Sequence, residues 1–83
     1  MAAETLNFKK VTKVIGIKQS VKAVEKKTAA AVYIADDADV RLISTLQQAC
    51  RNQEVPAVTG YSMEELGRAC GIDVGAAAVA VLK

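Results

Sequence analysis

Residues Ala29 to Ala35 form a nearly continuous apolar run, with Val32, Tyr33 and Ile34 at its centre. A run without polar alternation suits a strand buried on both faces. A strand of that kind needs cover above and below, and 83 residues are enough for one small domain to supply it. The flanking sequence reads accordingly. Val14-Ile15-Gly16 is a brief apolar run closed by a glycine. From Ile17 to Lys27 the apolar positions Ile17, Val21 and Val24 recur at helical spacing. Asp39 is placed to cap a helix from Val40 to about Gln53, with Leu42, Ile43, Leu46, Ala49 and Cys50 as its buried stripe. Glu54-Val55-Pro56 breaks that helix, and Ala57 to Tyr61 is a second short strand. Ser62 and Glu65 make a capping box for a short helix that ends at Gly71. Ile72-Asp73-Val74-Gly75 is a loop, and Ala76 to Leu82 a last apolar strand. Counting a first helix ahead of Val14, helix and strand alternate four times. The reading is one α/β layered domain over residues 1–83, with helices on both sheet faces.

Composition narrows what such a domain can do. Much of the apolar content is alanine and valine, and only Phe8, Tyr33 and Tyr61 are aromatic, so a roomy pocket for a large cofactor is not expected. Cys50 and Cys70 lie 20 apart, which fits no zinc or CxxC spacing, and histidine is absent. Neither a metal nor any other cofactor is expected, and the two thiols read as half-buried side chains in a reducing compartment. The first ten residues lack a signal-peptide core, and no apolar run approaches the ~18 residues of a membrane span. Cytoplasmic localisation follows as the expectation.

Charge is distributed unevenly. Residues 9–27 hold seven lysines against the single acid Glu25, a local balance of +6, which leaves −4 for the rest of a chain whose net charge is +2. A basic segment on one face is either a solvated surface or a footprint for phosphate. Lys18, Lys22 and Lys26 step by four and share a helix face. Three lysines so spaced repel one another, and an anion along that face would offset this.

The absence of histidine excludes triads that need an imidazole. Asp36, Asp37 and Asp39 sit at a strand end and a helix start, where they either cap and turn the chain or act as a carboxylate cluster in a hydrolase or nuclease. Cys70 near a helix C-terminus is poorly placed for a nucleophile, and no phosphate loop with its lysine and serine is present. No catalytic residue is assigned. Binding has better candidates. Gly16 precedes a helix whose first amides are free to receive phosphate. Lys18 and Gln19 lie in its first turn, and Gln19 offers both a donor and an acceptor to a base edge. Lys22 and Lys26 extend the positive strip. In the loop, Ile72 and Val74 flank Asp73. They either fold back into the core or form an apolar platform for an unstacked base.

These residues resemble a known family. Gly16-Ile17-Lys18-Gln19-Ser20-Val21-Lys22-Ala23-Val24 is similar to the first signature of the L-seven-Ae/L-thirty-e ribosomal proteins. Ile34 to Asp39 resembles their central strand and turn, and Leu66 to Val81 their carboxy-terminal signature. The three motifs cover nearly the whole chain in order, and the short members from Gram-positive bacteria look closest. The resemblance implies a three-layer α/β/α sandwich with a mixed four-stranded sheet. It also implies binding to kink-turns, RNA helices bent sharply at a bulge beside tandem sheared G·A pairs. By that likeness Lys18 and Gln19 meet the G·A pairs, and Lys22 and Lys26 lie near backbone. Ile72, Asp73, Val74 and Gly75 cover the flipped-out bulge base, with Asp39 beside it. Archaeal and eukaryotic kink-turn binders carry Asn-Glu where this chain has Lys18-Gln19; the L-thirty-e branch and the bacterial relatives resemble the Lys-Gln form. Gln19 accepts from a guanine edge without charge and so more weakly than a glutamate.

The expected partner is therefore a structured RNA holding a kink-turn, ribosomal or other, bound by a monomer with no membrane contact. The rival reading is a protein-interaction module on the same fold, with Asp36, Asp37, Glu64 and Glu65 meeting a basic partner.

Overall fold

The computed structural model describes residues 7–83. Strand β1 (Lys13–Ile15) leads through Gly16 into helix α1 (Ile17–Glu25). Strand β2 (Ala29–Ala35) is followed by helix α2 (Val40–Gln53), β3 (Ala57–Tyr61) by α3 (Met63–Cys70), and β4 (Ala78–Leu82) completes the sheet. The four strands stand in the order β1-β4-β2-β3. β4 is antiparallel to both of its neighbours, and β3 is parallel to β2, so the sheet is mixed. Helices α1 and α2 pack together on one face, with α1 against β1, β4 and β2, while α3 packs on β2 and β4. The chain is thus an α/β/α sandwich.

β2 is the strand that the opening apolar run foretells. Val32 and Ile34 are fully buried, and on the opposite face of the strand the Tyr33 ring centre lies 4.8 Å from that of Phe8 and 6.1 Å from that of Tyr61. Phe8 is held to α3 by its N–H donating to the Ala69 carbonyl at 2.8 Å. Val24, Leu46, Leu66 and Val79 complete the set of largest buried aliphatics. Burying a side chain of this size stabilises by about 1.5–3 kcal/mol.

Helix boundaries follow capping chemistry. Asp39 caps α2 and Ser62–Glu65 closes a reciprocal capping box on α3. Four expectations shift. Helix α1 stops at Glu25 rather than Lys27, because Lys27 takes a left-handed conformation (φ 62) and turns the chain out of the helix. Residues 7–12 hold a turn and no helix, and the rest of the helix expected ahead of Val14 lies outside the described residues. Leu42 is 54% exposed, because it sits in the first turn of α2, at the rim where β2 has already ended; Ile43, Leu46, Ala49 and Cys50 carry the buried stripe. β4 begins at Ala78, two residues later than the apolar pattern alone implies.

Two packing details can be tested. Ser20 is fully buried in α1 and its hydroxyl has no hydrogen-bond partner. An unsatisfied buried hydroxyl costs about 1–3 kcal/mol, and alanine is also the better helix former. Ser20→Ala should therefore raise stability by about 1 kcal/mol, seen in thermal unfolding as a rise of about 4–8 °C for a domain of this size; a fall would mean that the hydroxyl is satisfied in solution. At Gly67 a Cβ would run into the Val74 carbonyl, so α3 and the loop at residues 72–75 approach as closely as they do only over a glycine. Gly67→Ala should destabilise by about 1–3 kcal/mol. Amide exchange at Ile72 to Gly75 should quicken well beyond that of the β4 amides, and unchanged loop exchange would show that the contact is not limiting.

Candidate functional site

The sheet directions place every candidate. β1, β2 and β3 all run one way, so their C-terminal ends share one rim, here the upper rim, and each ends there in a helix start. β4 runs oppositely, so the loop before it returns to the same rim. Hydrogen bonds tie the junctions together. Gly16 N–H donates to Ala78 O at 2.8 Å, Ala35 N–H to Ala77 O at 2.9 Å, and Ala76 N–H to Met63 O at 3.0 Å. In this way Gly16, Lys18, Gln19, Asp39 and Ile72 to Gly75 all come to one end of the sheet, although they are scattered along the sequence. Lys22 and Lys26 lead away from it along α1.

The three helix starts differ. α2 and α3 are capped by side chains, whereas α1 has no side-chain cap and no acid in its first turn. Its first backbone bond is Ser20 N–H to Gly16 O at 3.0 Å, which leaves the amides of Ile17, Lys18 and Gln19 without intrahelical partners. Gly16 has φ 105 and ψ 157, a conformation essentially confined to glycine, and this sets the sharp entry into α1. The exposed Lys18 and Gln19 side chains stand beside those amides. Together they form a positive helix end able to accept an anion.

The aspartates are occupied by the backbone. Asp36 Oδ1 accepts from Gly60 N–H at 3.0 Å, Asp37 Oδ1 from Met63 N–H at 2.8 Å, and Asp39 Oδ1 from Arg41 N–H at 2.9 Å. Each carboxylate thus fixes a turn or a helix start, which is the capping reading. Among the described residues no three His, Cys, Asp or Glu side chains gather as a metal site. Cys50 and Cys70 are buried free thiols. Burial pushes both thiols above the usual cysteine range, at Cys70 against an opposing pull from Lys13, so neither is primed as a nucleophile.

The loop splits the two alternatives left open by its sequence. Ile72 packs against the core, while Val74 is 69% exposed. Beside it opens a cleft of about 540 Å³, lined by the loop and by Asp37, Met63, Glu64 and Arg68. Arg68 pairs with Glu64 at 3.1 Å, both side chains largely in solvent. Sequence reasoning passed over Met63 and Arg68. Their signal was their place on the short capped helix that Gly67 brings against the loop.

The likeness read from the motifs extends to whole-chain comparison. The profile of the Ribosomal protein L7Ae/L30e/S12e/Gadd45 family matches residues 3–83. An "RNA-binding protein" of Geobacillus thermodenitrificans is 46% identical over 70 residues, 84% of this chain and 85% of its own. An RNA-binding protein of Halalkalibacterium halodurans is 40% identical over 82 residues, 94% of this chain and 100% of its own. Among solved structures, the Giardia lamblia 15.5kD RNA binding protein superposes with a TM-score of 0.82 at 33% identity over 86% of this chain. The chain spans 60% of that protein's length. A protein of unknown function from Bacillus halodurans superposes with a TM-score of 0.79 at 25% identity, over 86% of this chain and 71% of its own. With profile, sequence relatives and fold in agreement over nearly its whole length, the chain belongs to the Ribosomal protein L7Ae/L30e/S12e/Gadd45 family.

Proposed function

We propose that this chain is a non-catalytic RNA-binding protein that recognises a kink-turn through its upper rim, in the cytoplasm and in ribosomal or other structured RNA. The observation that carries this reading is the meeting, on one rim, of an uncapped helix end bearing Lys18 and Gln19 with a loop that exposes Val74. Amides and lysine charge suit RNA backbone, the Gln19 amide suits a base edge, and an exposed apolar side chain suits an unstacked base. That sequence relatives and a structural neighbour are described as RNA-binding supports the same reading. Lys18 and Gln19 would face the sheared G·A pairs. Lys22 and Lys26 would follow phosphate down α1. Asp73, Val74 and Gly75 would cover the bulged base, with Ile72 anchoring the loop from beneath and Asp39 alongside.

A second reading has one observation in its favour. Val40 is 77% and Leu42 54% exposed at the start of α2, beside the acidic turn, as a surface for a basic protein partner would be.

Titration into a labelled kink-turn RNA decides between them, with the same RNA carrying Watson–Crick pairs in place of the G·A pairs as control. The kink-turn should be preferred by several kcal/mol. Gln19→Ala should cost about 1–3 kcal/mol on the kink-turn and little on the control. Lys26→Ala should weaken both about equally and reduce the salt slope by about one. Equal loss on both RNAs from every substitution would remove base readout, and no binding to either RNA would favour the protein partner.

A further inference from the structure

The rim opposite the proposed site carries charge of which that site uses only Lys26. Its order is fixed by the backbone. Leu82 N–H donates to Thr12 O at 2.9 Å, and Lys83 N–H to Thr28 O at 2.9 Å. Lys13 at the start of β1, Lys83 past the end of β4 and Lys27 two residues before β2 therefore stand at the same end of three successive strands, which lie about 5 Å from one another, with Lys13 opposite Val81 and so two residues short of Lys83. Lys26 closes α1 at the same end, and the Lys9 stem lies against Gly71 at the end of α3, with Lys10 next to it. Arg51 in the last turn of α2 adds a seventh cation. The described acids at this end are Glu25 and Glu54. At the upper rim the balance is reversed: Asp36, Asp37, Asp39, Glu64, Glu65 and Asp73 stand against Lys18, Arg41 and Arg68.

The two ion pairs among the described residues, Arg41 with Asp39 and Arg68 with Glu64, both belong to the upper rim. Among the described residues, none of the lower lysines pairs with a carboxylate. Helix C-termini account for part of the lower pattern, because their partial negative charge attracts Lys26, Lys27 and Arg51. They do not account for Lys9, Lys10, Lys13 and Lys83, which lie off the helices. Like charges on adjacent strands repel, and a polyanion across the rim would relieve them. Of the polyanions, a duplex fits best. Tyr33 and Tyr61 are half-buried within the fold, so the rim presents no aromatic platform for stacking single-stranded bases. Among the described residues, Val11 is the one large apolar side chain exposed near this rim, which is too little apolar area to enter a bilayer surface.

We propose that the lower rim is a second phosphate-binding surface that holds the backbone of an A-form RNA duplex, so that one chain bridges two RNA segments at opposite ends of its sheet. The duplex contact stands on the lower rim alone; the bridging rests on the kink-turn reading of the upper rim. The contact should be indifferent to sequence and steep in salt, as contacts made only to phosphate are.

The test uses Lys10→Gln, Lys27→Gln and Lys83→Gln together, three exposed positions whose replacement should leave the fold intact, as circular dichroism would show. The probe is a straight Watson–Crick RNA duplex, titrated at several salt concentrations. The triple variant should bind it about tenfold more weakly at moderate salt, with a salt slope lower by two to three. On a kink-turn RNA with short arms it should match the wild type within about twofold. With unlabelled kink-turn RNA and labelled duplex mixed, the wild type should yield a ternary complex, and the triple variant should need about tenfold more duplex to form as much of it. Wild-type affinity and slope in the triple variant would overturn the proposal. So would an equal loss on the short-armed kink-turn, which would make the two rims one site, or binding to phosphatidylserine vesicles without binding to the duplex. Gln19→Ala separates the two readings: if it leaves kink-turn binding intact, the upper-rim reading fails, while the duplex result still judges the lower rim.

Discussion

Much of this molecule depends on the direction of one strand. β4 lies antiparallel between β1 and β2, and so separates two strands that run the same way. β3 then adds parallel to β2. Because β1, β2 and β3 share a direction, β1 and β2 must each be followed by a helix that carries the chain back, and with α3 after β3 the three helix starts gather at one end. The loop before β4 arrives at that end for the opposite reason. A functional surface assembled from four separated segments is thus a result of strand polarity, without long insertions to bring its parts together. Open α/β sheets generally offer their binding surfaces at the carboxyl ends of the strands, for the same geometric reason.

The helix starts at that rim divide the work. Asp37, Asp39 and Ser62 are spent on backbone amides, which makes the α2 and α3 junctions rigid. α1 keeps its first amides free, at the cost of needing Gly16 in a conformation closed to other residues. The acids of the rim therefore oppose a polyanion less than their number implies, since three aspartates already receive amide dipoles. On the proposed function, the one junction left open is the one that meets RNA, and the capped junctions hold it in place.

Much of the fold was legible in the sequence because the elements obey local rules. The bounds of β2, α2 and β3 follow from apolar runs, an N-cap aspartate and a proline, and the capping box announces α3. The misreadings mark where tertiary context decides. The end of α1 depends on Lys27 adopting a left-handed turn, which nothing in its chemistry signals. The exposure of Leu42 depends on where β2 ends beneath it, a relation that periodicity does not contain. The loop showed the same limit: Ile72 and Val74 look alike in sequence, yet one packs inward and the other does not. Met63 and Arg68 entered the cleft because Gly67 admits the loop at a distance of approach visible only once both are placed. The polarity of charge between the two rims was also hidden, since a count along the chain mixes residues that the sheet sends to opposite ends.

The central place of β4 has a consequence for how the chain comes together. A nascent chain presents β1, α1 and β2 long before β4 exists, yet β1 can join β2 only through β4. Until that strand emerges, the three earlier strands supply just one lateral pairing, β2 with β3, and β1 remains without a partner. Assembly of the sheet is therefore closed from its middle by the strand synthesised last of the four. The first helix meanwhile has α2, β1 and β2 beside it but lacks the central strand of its sheet, so its lysines face whatever polyanion is nearby before the sheet that presents them is closed.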